Sequence, residues 1–251
     1  GDTILDTKFV EYVEQDFIKY PNLTSIGGYV RSIKHNWLTA CRAFDYAIGQ
    51  NLHKLAQHHL NFMFVIPGAA GAFRTRLFGT ILSFEHDTIT EDLDFTYKLH
   101  RNQLKIFYDR EAIVYTQDPS TIHSYVNQMR RWYGGGWQNL LKHVGIAEGP
   151  AQALELSLIY VEGLVFAVLI FFMPLLNFSF FVYFILSYFV VAMIFASLSS
   201  FWERRLDLLL VPIPYVLIVF INAYIFLEQF WREVVMGKKN LVWFSPERIG
   251  L

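Results

Sequence analysis

The chain has 251 residues and a formal net charge of −1 at pH 7, so its overall charge indicates neither a nucleic-acid partner nor an acidic surface. Hydrophobic residues make up 54% of the chain and aromatic residues 18%, which is more than a soluble protein usually carries. The single cysteine, Cys41, excludes an intrachain disulfide and fits a reducing compartment for the first half of the chain.

The N-terminal segment alternates between helical and strand patterns. Apolar residues at helical spacing predict a helix within residues 6–20, and a β-prone segment containing glycine predicts a strand at residues 25–33. A second helix is predicted over residues 37–60. Its three histidines have no carboxylate or thiol at ligand spacing, so a solvated polar face is favoured over a metal site. They are His53, His58 and His59.

An apolar run at residues 62–66 predicts a strand, and a turn of very small residues follows it from Pro67 to Gly71. The glycines of this turn, Gly68 and Gly71, would let another group approach the backbone closely. A tight connection between a strand and a helix explains the same residues equally well. The turn by itself therefore favours neither a binding site nor a purely structural role.

An acidic segment begins shortly after this turn. Thr90 is a good N-cap residue, and Glu91, Asp92 and Asp94 fill the first turn of a predicted helix. Acidic residues are ordinary at a helix N-terminus, but together with Asp87 they are more numerous than capping needs. A carboxylate at a helix N-terminus should stay ionised at neutral pH, as a general base must. The number and position of these acids therefore favour a functional role.

Two short strands are predicted within residues 105–115, on either side of Asp109 and Arg110. Asp118 and Pro119 then indicate a helix start, with Asp118 as the N-cap and Pro119 at the first helical position. The helix that they begin carries the most informative pattern of the chain.

On that helix Gln128, Arg131 and Trp132 lie at positions i, i+3 and i+4, so an amide, a guanidinium and an indole share one face. Such a face suits an anionic leaving group and the flat side of a sugar ring. A basic, aromatic helix at a membrane interface, without any chemistry, explains these residues equally well. Three glycines at 134–136 weaken the helix, which is predicted to end or bend there.

The C-terminal part of the chain is very apolar. Residues 163–202 contain no acidic, basic or histidine residue, and this length suffices for two membrane spans of about 20 residues each. We predict three spans, at about residues 154–176, 178–201 and 208–231. Buried core helices of a soluble domain are disfavoured at these lengths. Pro174 and Asn177 predict the turn between the first two spans.

The charges flanking these spans give a conflicting topology. Arg204 and Arg205 join the second and third spans, and they favour the cytoplasmic side for that connection and for the first half of the chain. Three full crossings would then place Lys238 and Lys239 outside, against the same rule. Either the tail is an exception, or one segment is re-entrant or interfacial.

Taken together, the motifs resemble a known family. The sequence Thr90-Glu91-Asp92, the later QxxRW pattern and the apolar spans are similar to the processive, inverting family 2 glycosyltransferases. These are the membrane synthases of cellulose, chitin, hyaluronan and poly-N-acetylglucosamine. The resemblance covers nearly the whole chain and includes the small-residue turn at 68–74 and the strand at 27–32. The first residues resemble the end of the family's DxD motif, so we expect the C-terminal part of a longer protein.

The resemblance implies an α/β fold, namely the C-terminal part of a glycosyltransferase A-type (nucleotide-diphospho-sugar transferase) domain. An interfacial helix and about three transmembrane helices would follow it. The implied divisions are the end of the catalytic domain at 1–118, the QxxRW helix region at 119–149, the transmembrane helices at 150–232 and a tail at 233–251. The catalytic part would lie in the cytoplasm, and the protein would be a multi-pass protein of the cell membrane.

The resemblance also implies roles for individual residues. Asp2 would help to bind a divalent cation, Mg or Mn, on the diphosphate of the donor, since these ions prefer oxygen ligands. Asp92 would be the general base that takes the proton from the acceptor hydroxyl, with Glu91 beside it in the substrate site. Gly68 and Gly71 would shape the acceptor pocket.

The QxxRW residues would complete this site. Arg131 would stabilise the leaving diphosphate by charge-assisted hydrogen bonds. Trp132 would stack on the acceptor sugar where the polymer enters the membrane, and Gln128 would orient that site.

The implied reaction moves a sugar from a UDP-sugar to a growing polysaccharide, with inversion and with transfer across the membrane. UDP-N-acetylglucosamine is the first donor to test, from the residues that follow Trp132. Membrane lipid and other synthase subunits are further expected partners, and nucleic acid is not. Two alternatives remain: a non-processive glycosyltransferase that acts on a lipid or oligosaccharide, and a non-catalytic scaffold or transport subunit of the membrane.

Overall fold

The computed structural model describes residues 3–78, 83–147 and 149–242. Its N-terminal part contains a four-stranded mixed sheet with the strand order β1-β4-β2-β3. The central strands β2 and β4 pair in parallel, and both outer pairs are antiparallel. The α/β class predicted from the sequence is confirmed. The strands are β1 (Thr3–Leu5), β2 (Leu23–Ser32), β3 (Gly71–Phe73) and β4 (Lys105–Thr116).

Helices flank this sheet, and most of the described chain after β4 is helical. The predicted helix at 37–60 is continuous, with one wider π-helical turn at Gly49–His53 between α2 and α3. Asn36 caps α2 by accepting hydrogen bonds from the backbone N–H groups of Leu38 and Thr39, both at 3.1 Å. The helices are α1 (Phe9–Lys19), α2 (Trp37–Ile48), α3 (Lys54–His59), α4 (Glu91–Arg101), α5 (Ile122–Lys142), α6 (Pro150–Ser157), α7 (Gly163–Leu176), α8 (Phe178–Glu203) and α9 (Pro212–Phe230).

The strand predicted at residues 62–66 is wrong, because this run is an extended loop. Its backbone groups bond to side chains of neighbouring helices instead of to a strand. The N–H of Phe64 donates to the side chain of Gln57 at 3.0 Å, and the N–H of Ile66 donates to the hydroxyl of Thr96 at 2.9 Å. Burial of apolar side chains between helices thus produces the same sequence pattern as a buried strand.

The two strands predicted around Asp109 and Arg110 are also wrong, since β4 is one long strand. Its parallel register with β2 is interrupted between the pairs Gly27–Tyr108 and Tyr29–Ile113. The polar dipeptide therefore lies in an irregularity within the strand and does not end it.

The start predicted for α5 needs a similar correction. The helix begins at Ile122, and its N-cap is Thr121, whose hydroxyl accepts from the N–H of Ser124 at 3.2 Å. Asp118 is instead buried and accepts a hydrogen bond from the hydroxyl of Tyr46 at 3.0 Å. Its ion-pair partner Arg42, at 3.7 Å and far away in sequence, thus decides the role of Asp118.

The glycines at 134–136 do not end α5, which continues to Lys142. They are buried at three different contacts of the helix. Gly134 faces the side chain of Gln229, Gly135 faces Thr90, and Gly136 faces Tyr160. Three glycines lower the helix propensity of this segment, but here they let neighbouring elements approach the helix backbone closely.

Three helices are long and apolar enough to cross a membrane, as predicted: Pro150–Leu176, Phe178–Glu203 and Pro212–Val235. They leave many large apolar side chains exposed, such as Leu176 and Phe201. Only Asn177 separates the first two helices, and its side chain caps α8 by accepting from the N–H of Phe180 at 2.9 Å.

The end of α8 is fastened to the sheet. Glu203 accepts a hydrogen bond from the hydroxyl of Tyr29 and forms an ion pair with Arg31 at 3.0 Å. Arg205 donates to the carbonyl of Ser32 at 3.3 Å. The connection between α8 and α9 therefore lies beside the α/β domain.

The last apolar helix, α9, runs alongside α5 in the same direction. Three hydrogen-bonded contacts join α5 to α9 and to the π-helical turn Trp231–Val235 that follows it, with distances of 2.7–3.0 Å. The pairs are Tyr125–Asn222, Arg130–Glu228 and Gln138–Glu233. The beginning of α9 packs against α2. The segment after α9 reaches Gln138 of α5, whose side-chain amide donates to the carbonyl of Asn240 at 3.2 Å. The carbonyl oxygen of the same side chain accepts from the N–H of Ile89 at 3.0 Å. Both ends of α9 therefore lie next to the α/β domain or to α5.

The glycine at 135 yields a prediction for folding. A Cβ atom there would lie 2.9 Å from the Cβ of Thr90, too close for real atoms. We expect Gly135→Ala to lower the stability of the full-length protein in detergent by about 1–3 kcal/mol, as overpacking does. A thermal unfolding scan measures this effect. The variant Gly49→Ala is the control, because no atom lies within 4 Å of a Cβ there.

The double variant Gly135→Ala with Thr90→Gly removes the whole clashing side chain, including the Cβ at 2.9 Å. It should recover most of the stability lost in the single variant. If Gly135→Ala is as stable as the wild type, the close approach of α5 to Thr90 is wrong.

Candidate active site

The carboxylate of Asp92 lies at the first turn of α4, next to the small-residue turn. One of its oxygens accepts a hydrogen bond from the backbone N–H of Gly68 at 3.1 Å, and the other accepts from the N–H of Leu93 at 2.9 Å. A Cβ at Gly68 would lie 3.6 Å from the carboxylate. The group that approaches the glycine turn is therefore Asp92 itself, and the half-buried acid is held by backbone donors.

The pKa of Asp92 is raised above its ordinary value, chiefly because the side chain is removed from water and also because the charge of Glu91 lies nearby. The N–H groups of Gly68 and Leu93 and the charge of Arg131 act in the opposite direction. The helix N-terminus alone would favour the ionised form, so burial outweighs it here. A raised pKa makes the carboxylate a stronger proton acceptor.

The three residues of the QxxRW pattern lie on α5, which passes alongside the N-terminus of α4. Arg131 is half-buried and close enough for its charge to lower the pKa of Asp92. Gln128 is buried, and its side-chain carbonyl oxygen accepts no hydrogen bond within the described part of the chain. An unpaired buried acceptor costs about 1–3 kcal/mol, so it indicates a place where a polar ligand group fits.

Trp132 is half-buried at the edge of a hydrophobic cluster formed by α2, α5, α8 and α9. The guanidinium of Arg42, on α2, lies over its ring at 4.7 Å from the centroid. Arg42 was absent from the site predicted from the sequence. Its sequence position could have indicated a buried charge, because Arg42 lies between Cys41 and Phe44 on the apolar face of an amphipathic helix.

The remaining predicted site residues lie at the margin of this group. Glu91 is exposed and adjacent to Asp92. Gly71 begins β3, and a Cβ there would lie 2.9 Å from the ring of Phe73, so the packing of the sheet accounts for this glycine. Its role in an acceptor pocket stays a prediction. Asp2, predicted to bind the cation, lies outside the described residues.

A cluster of three carboxylates, Glu85, Asp87 and Asp94, offers oxygens within 4.8 Å of one another. The ammonium group of Lys142 contacts all three acids at 2.7–2.8 Å. Lys98 contacts Asp94 at 2.8 Å, and His143 lies 2.7 Å from the same acid. Hydrogen bonds from His143, Lys142 and Lys98 hold the pKa of Asp94 well below its usual value despite burial. The carboxylates are therefore already paired, and they do not fit a resident metal ion.

A comparison with protein families decides the class of the protein. The model of the family described as "Glycosyl transferase family group 2" matches residues 1–227. The chain belongs to this family. The predicted family is confirmed, and the protein is of the glycosyltransferase class. Family 2 glycosyltransferases generally use a divalent metal, for which the carboxylates of Glu85, Asp87 and Asp94 are not a suitable site.

Curated relatives agree with this assignment. The chain is similar to poly-beta-1,6-N-acetyl-D-glucosamine synthase of Staphylococcus epidermidis, with 29% identity over 143 residues. It is also similar to the synthase of the same name from Staphylococcus aureus strain COL, with 27% identity over 143 residues. Each match covers 57% of this chain and 35% of the relative. The chain thus aligns with about a third of the length of these synthases.

Proposed function

We propose that the protein is a processive, inverting glycosyltransferase of the membrane, which adds sugars from a UDP-sugar to a growing polysaccharide. The arrangement that carries this proposal is the carboxylate of Asp92, held by the N–H of Gly68, with the charge of Arg131 near enough to lower its pKa. Apolar helices follow this group directly in the chain. The names of the relatives favour UDP-N-acetylglucosamine as the first donor to test.

In this mechanism Asp92 removes the proton from the acceptor hydroxyl as its oxygen attacks the anomeric carbon. The new bond to the acceptor oxygen forms while the bond to the diphosphate oxygen breaks, and the diphosphate leaves with the electron pair. Attack opposite the leaving group inverts the anomeric carbon. Arg131 stabilises the negative charge on the leaving group, because a charged donor strengthens the hydrogen bond.

Two further residues hold the acceptor. Trp132 presents a partly exposed ring for one face of the terminal sugar. The carbonyl oxygen of Gln128, which accepts no hydrogen bond from the described residues, accepts one from a sugar hydroxyl. A divalent cation, Mg or Mn, supplies positive charge at the diphosphate when bound, and Asp2 is its proposed ligand. Gly68 and Glu91 complete the proposed substrate site.

The first prediction concerns the base. We expect Asp92→Asn to lower polymer synthesis by at least about 100-fold, because an amide cannot accept the proton. Donor binding should persist. Membranes that carry the full-length protein are incubated with a panel of labelled nucleotide sugars, and the product is sized. Asp87→Asn is the control, since that acid belongs to the paired cluster.

Each result of this assay is informative. Wild-type rates in Asp92→Asn would remove Asp92 from the role of base. Products of one or two added sugars in the wild type would favour the non-processive alternative. No transfer from any donor would favour a scaffold or transport subunit.

The second prediction concerns pH. The charge of Glu91 raises the pKa of Asp92, so Glu91→Gln should lower it. Activity requires the ionised carboxylate, and it is lost as the pH falls through the pKa. The acid limb of the rate profile should therefore move to lower pH in the variant. A limb that stays in place or moves upward would contradict the assignment of Asp92.

The third prediction concerns topology. Because both ends of α9 lie beside the domain or α5, we propose that α9 is re-entrant or interfacial. Lys238 and Lys239 then lie on the same side as Arg204, in the cytoplasm, in agreement with the positive-inside rule. Single cysteines introduced at Arg204 and Lys239 in the full-length protein should react with an impermeant maleimide only after the cells are opened. Labelling of position 239 in intact cells would contradict the proposal and show that α9 crosses the membrane completely.

A further inference from the structure

Arg42 is a buried charge that the proposed reaction does not use. It lies on α2 with 3% of its surface exposed. Its guanidinium forms ion pairs with Asp45 at 3.0 Å and with Asp118 at 3.7 Å. Burial of an arginine carries a large desolvation cost even when it is paired. Because of this cost, filling space in the core is a poor explanation for an arginine at this position.

Aromatic rings surround this guanidinium. The ring centroids of Trp132, Tyr46 and Tyr125 lie 4.7, 4.8 and 5.8 Å from its central carbon. Trp132 is the nearest of the three, and it is the ring of the QxxRW pattern. A cation over an aromatic face is attracted by the electron-rich ring, more strongly where water is excluded.

The partners of Arg42 are themselves held by other elements. The hydroxyl of Tyr46 donates to Asp118 at 3.0 Å, and the hydroxyl of Tyr215 donates to Asp45. Asp118 belongs to the connection before α5, and Tyr215 belongs to α9. The guanidinium is therefore fixed from three directions, by α2, by this connection and by α9.

We propose that Arg42 is a positioning residue for the acceptor, which holds the ring of Trp132 by covering one of its faces. The ring is half-buried, and the face opposite Arg42 is the one that takes the terminal sugar of the polymer. This inference rests on the proposed function, because it assigns the acceptor to Trp132. It adds a residue that touches neither the donor nor the acceptor but sets how the acceptor is bound.

The test compares Arg42→Lys and Arg42→Met in the full-length enzyme. Lysine keeps the charge but lacks the planar group that stacks on a ring and reaches two carboxylates. Arg31 supplies the matched control, because it lies over Tyr29 at 5.5 Å and pairs with Glu203 at 3.0 Å, away from Trp132. The same two substitutions are made there.

The kinetic readout separates positioning from general damage. A soluble oligosaccharide of β-1,6-linked N-acetylglucosamine serves as the acceptor. Loss of about 1.4 kcal/mol of ring positioning corresponds to a tenfold change, so the acceptor KM should rise about tenfold in both Arg42 variants. The KM for the donor should stay unchanged, and the Arg31 variants should keep the acceptor KM. Equal changes in both KM values and in kcat would reduce Arg42 to a structural residue and overturn the proposal.

A second readout does not depend on activity. The protein is labelled with 5-fluorotryptophan, and the fluorine signal of Trp132 is assigned by its absence in Trp132→Phe. This signal should shift and broaden in the Arg42 variants and stay in place in the Arg31 variants. An unchanged signal in Arg42→Lys and Arg42→Met would overturn the positioning role even if activity falls.

The two readouts also distinguish this proposal from the proposed function. A wild-type enzyme that elongates no acceptor would refute the function, and with it the acceptor role of Trp132, whatever the fluorine signal does. An enzyme that elongates normally while the Arg42 variants keep both the acceptor KM and the signal would refute the positioning role alone. If Arg42→Met does not fold, Arg42→Lys decides both measurements.

Discussion

The close contact between α5 and the start of α4 is the constraint on which the candidate site depends. Gly135 lets the backbone of α5 approach Thr90, and Asn139, one turn later, donates to the hydroxyl of Thr90 at 3.0 Å. Because the contact lies just before Asp92, it brings the charge of Arg131 into range of the carboxylate. The proposed base and the proposed leaving-group cation thus come from separate helices that one glycine allows to meet.

A second layer of contacts holds α5 from the other side. Arg42 on α2 covers Trp132, and α9 with the turn that follows it pairs with α5 from Tyr125 to Gln138. The polar groups of α9 at this surface meet polar partners, while its apolar groups pack against α7 and α8. A helix of this composition can therefore pack against the domain on one side and against membrane helices on the other. In the proposed enzyme, the acceptor site and the membrane part share one packed interface.

Much of this architecture followed from local sequence patterns. The helix periods, the uncharged runs and the spacing of Gln128, Arg131 and Trp132 depend on neighbours within a few turns, and these elements agree with the structure. The errors came from partners distant in sequence. The loop at 62–66 is apolar because helices cover it, and Asp118 pairs with Arg42 instead of capping α5. The position of Arg42 over Trp132 could not be predicted, because the aromatic rings around its guanidinium come mostly from elements distant in sequence.

The fastening of α8 to the sheet has a mechanical consequence. With 26 residues at about 1.5 Å per residue, the helix is roughly 39 Å long. At its far end only Asn177 separates it from α7, and at its near end Glu203 is tied to Tyr29 and Arg31 of β2. The helix therefore holds its two ends at a fixed separation. In the proposed membrane enzyme it would set the distance between the sheet and the bilayer, and the domain could change that distance only by breaking the contacts of Glu203.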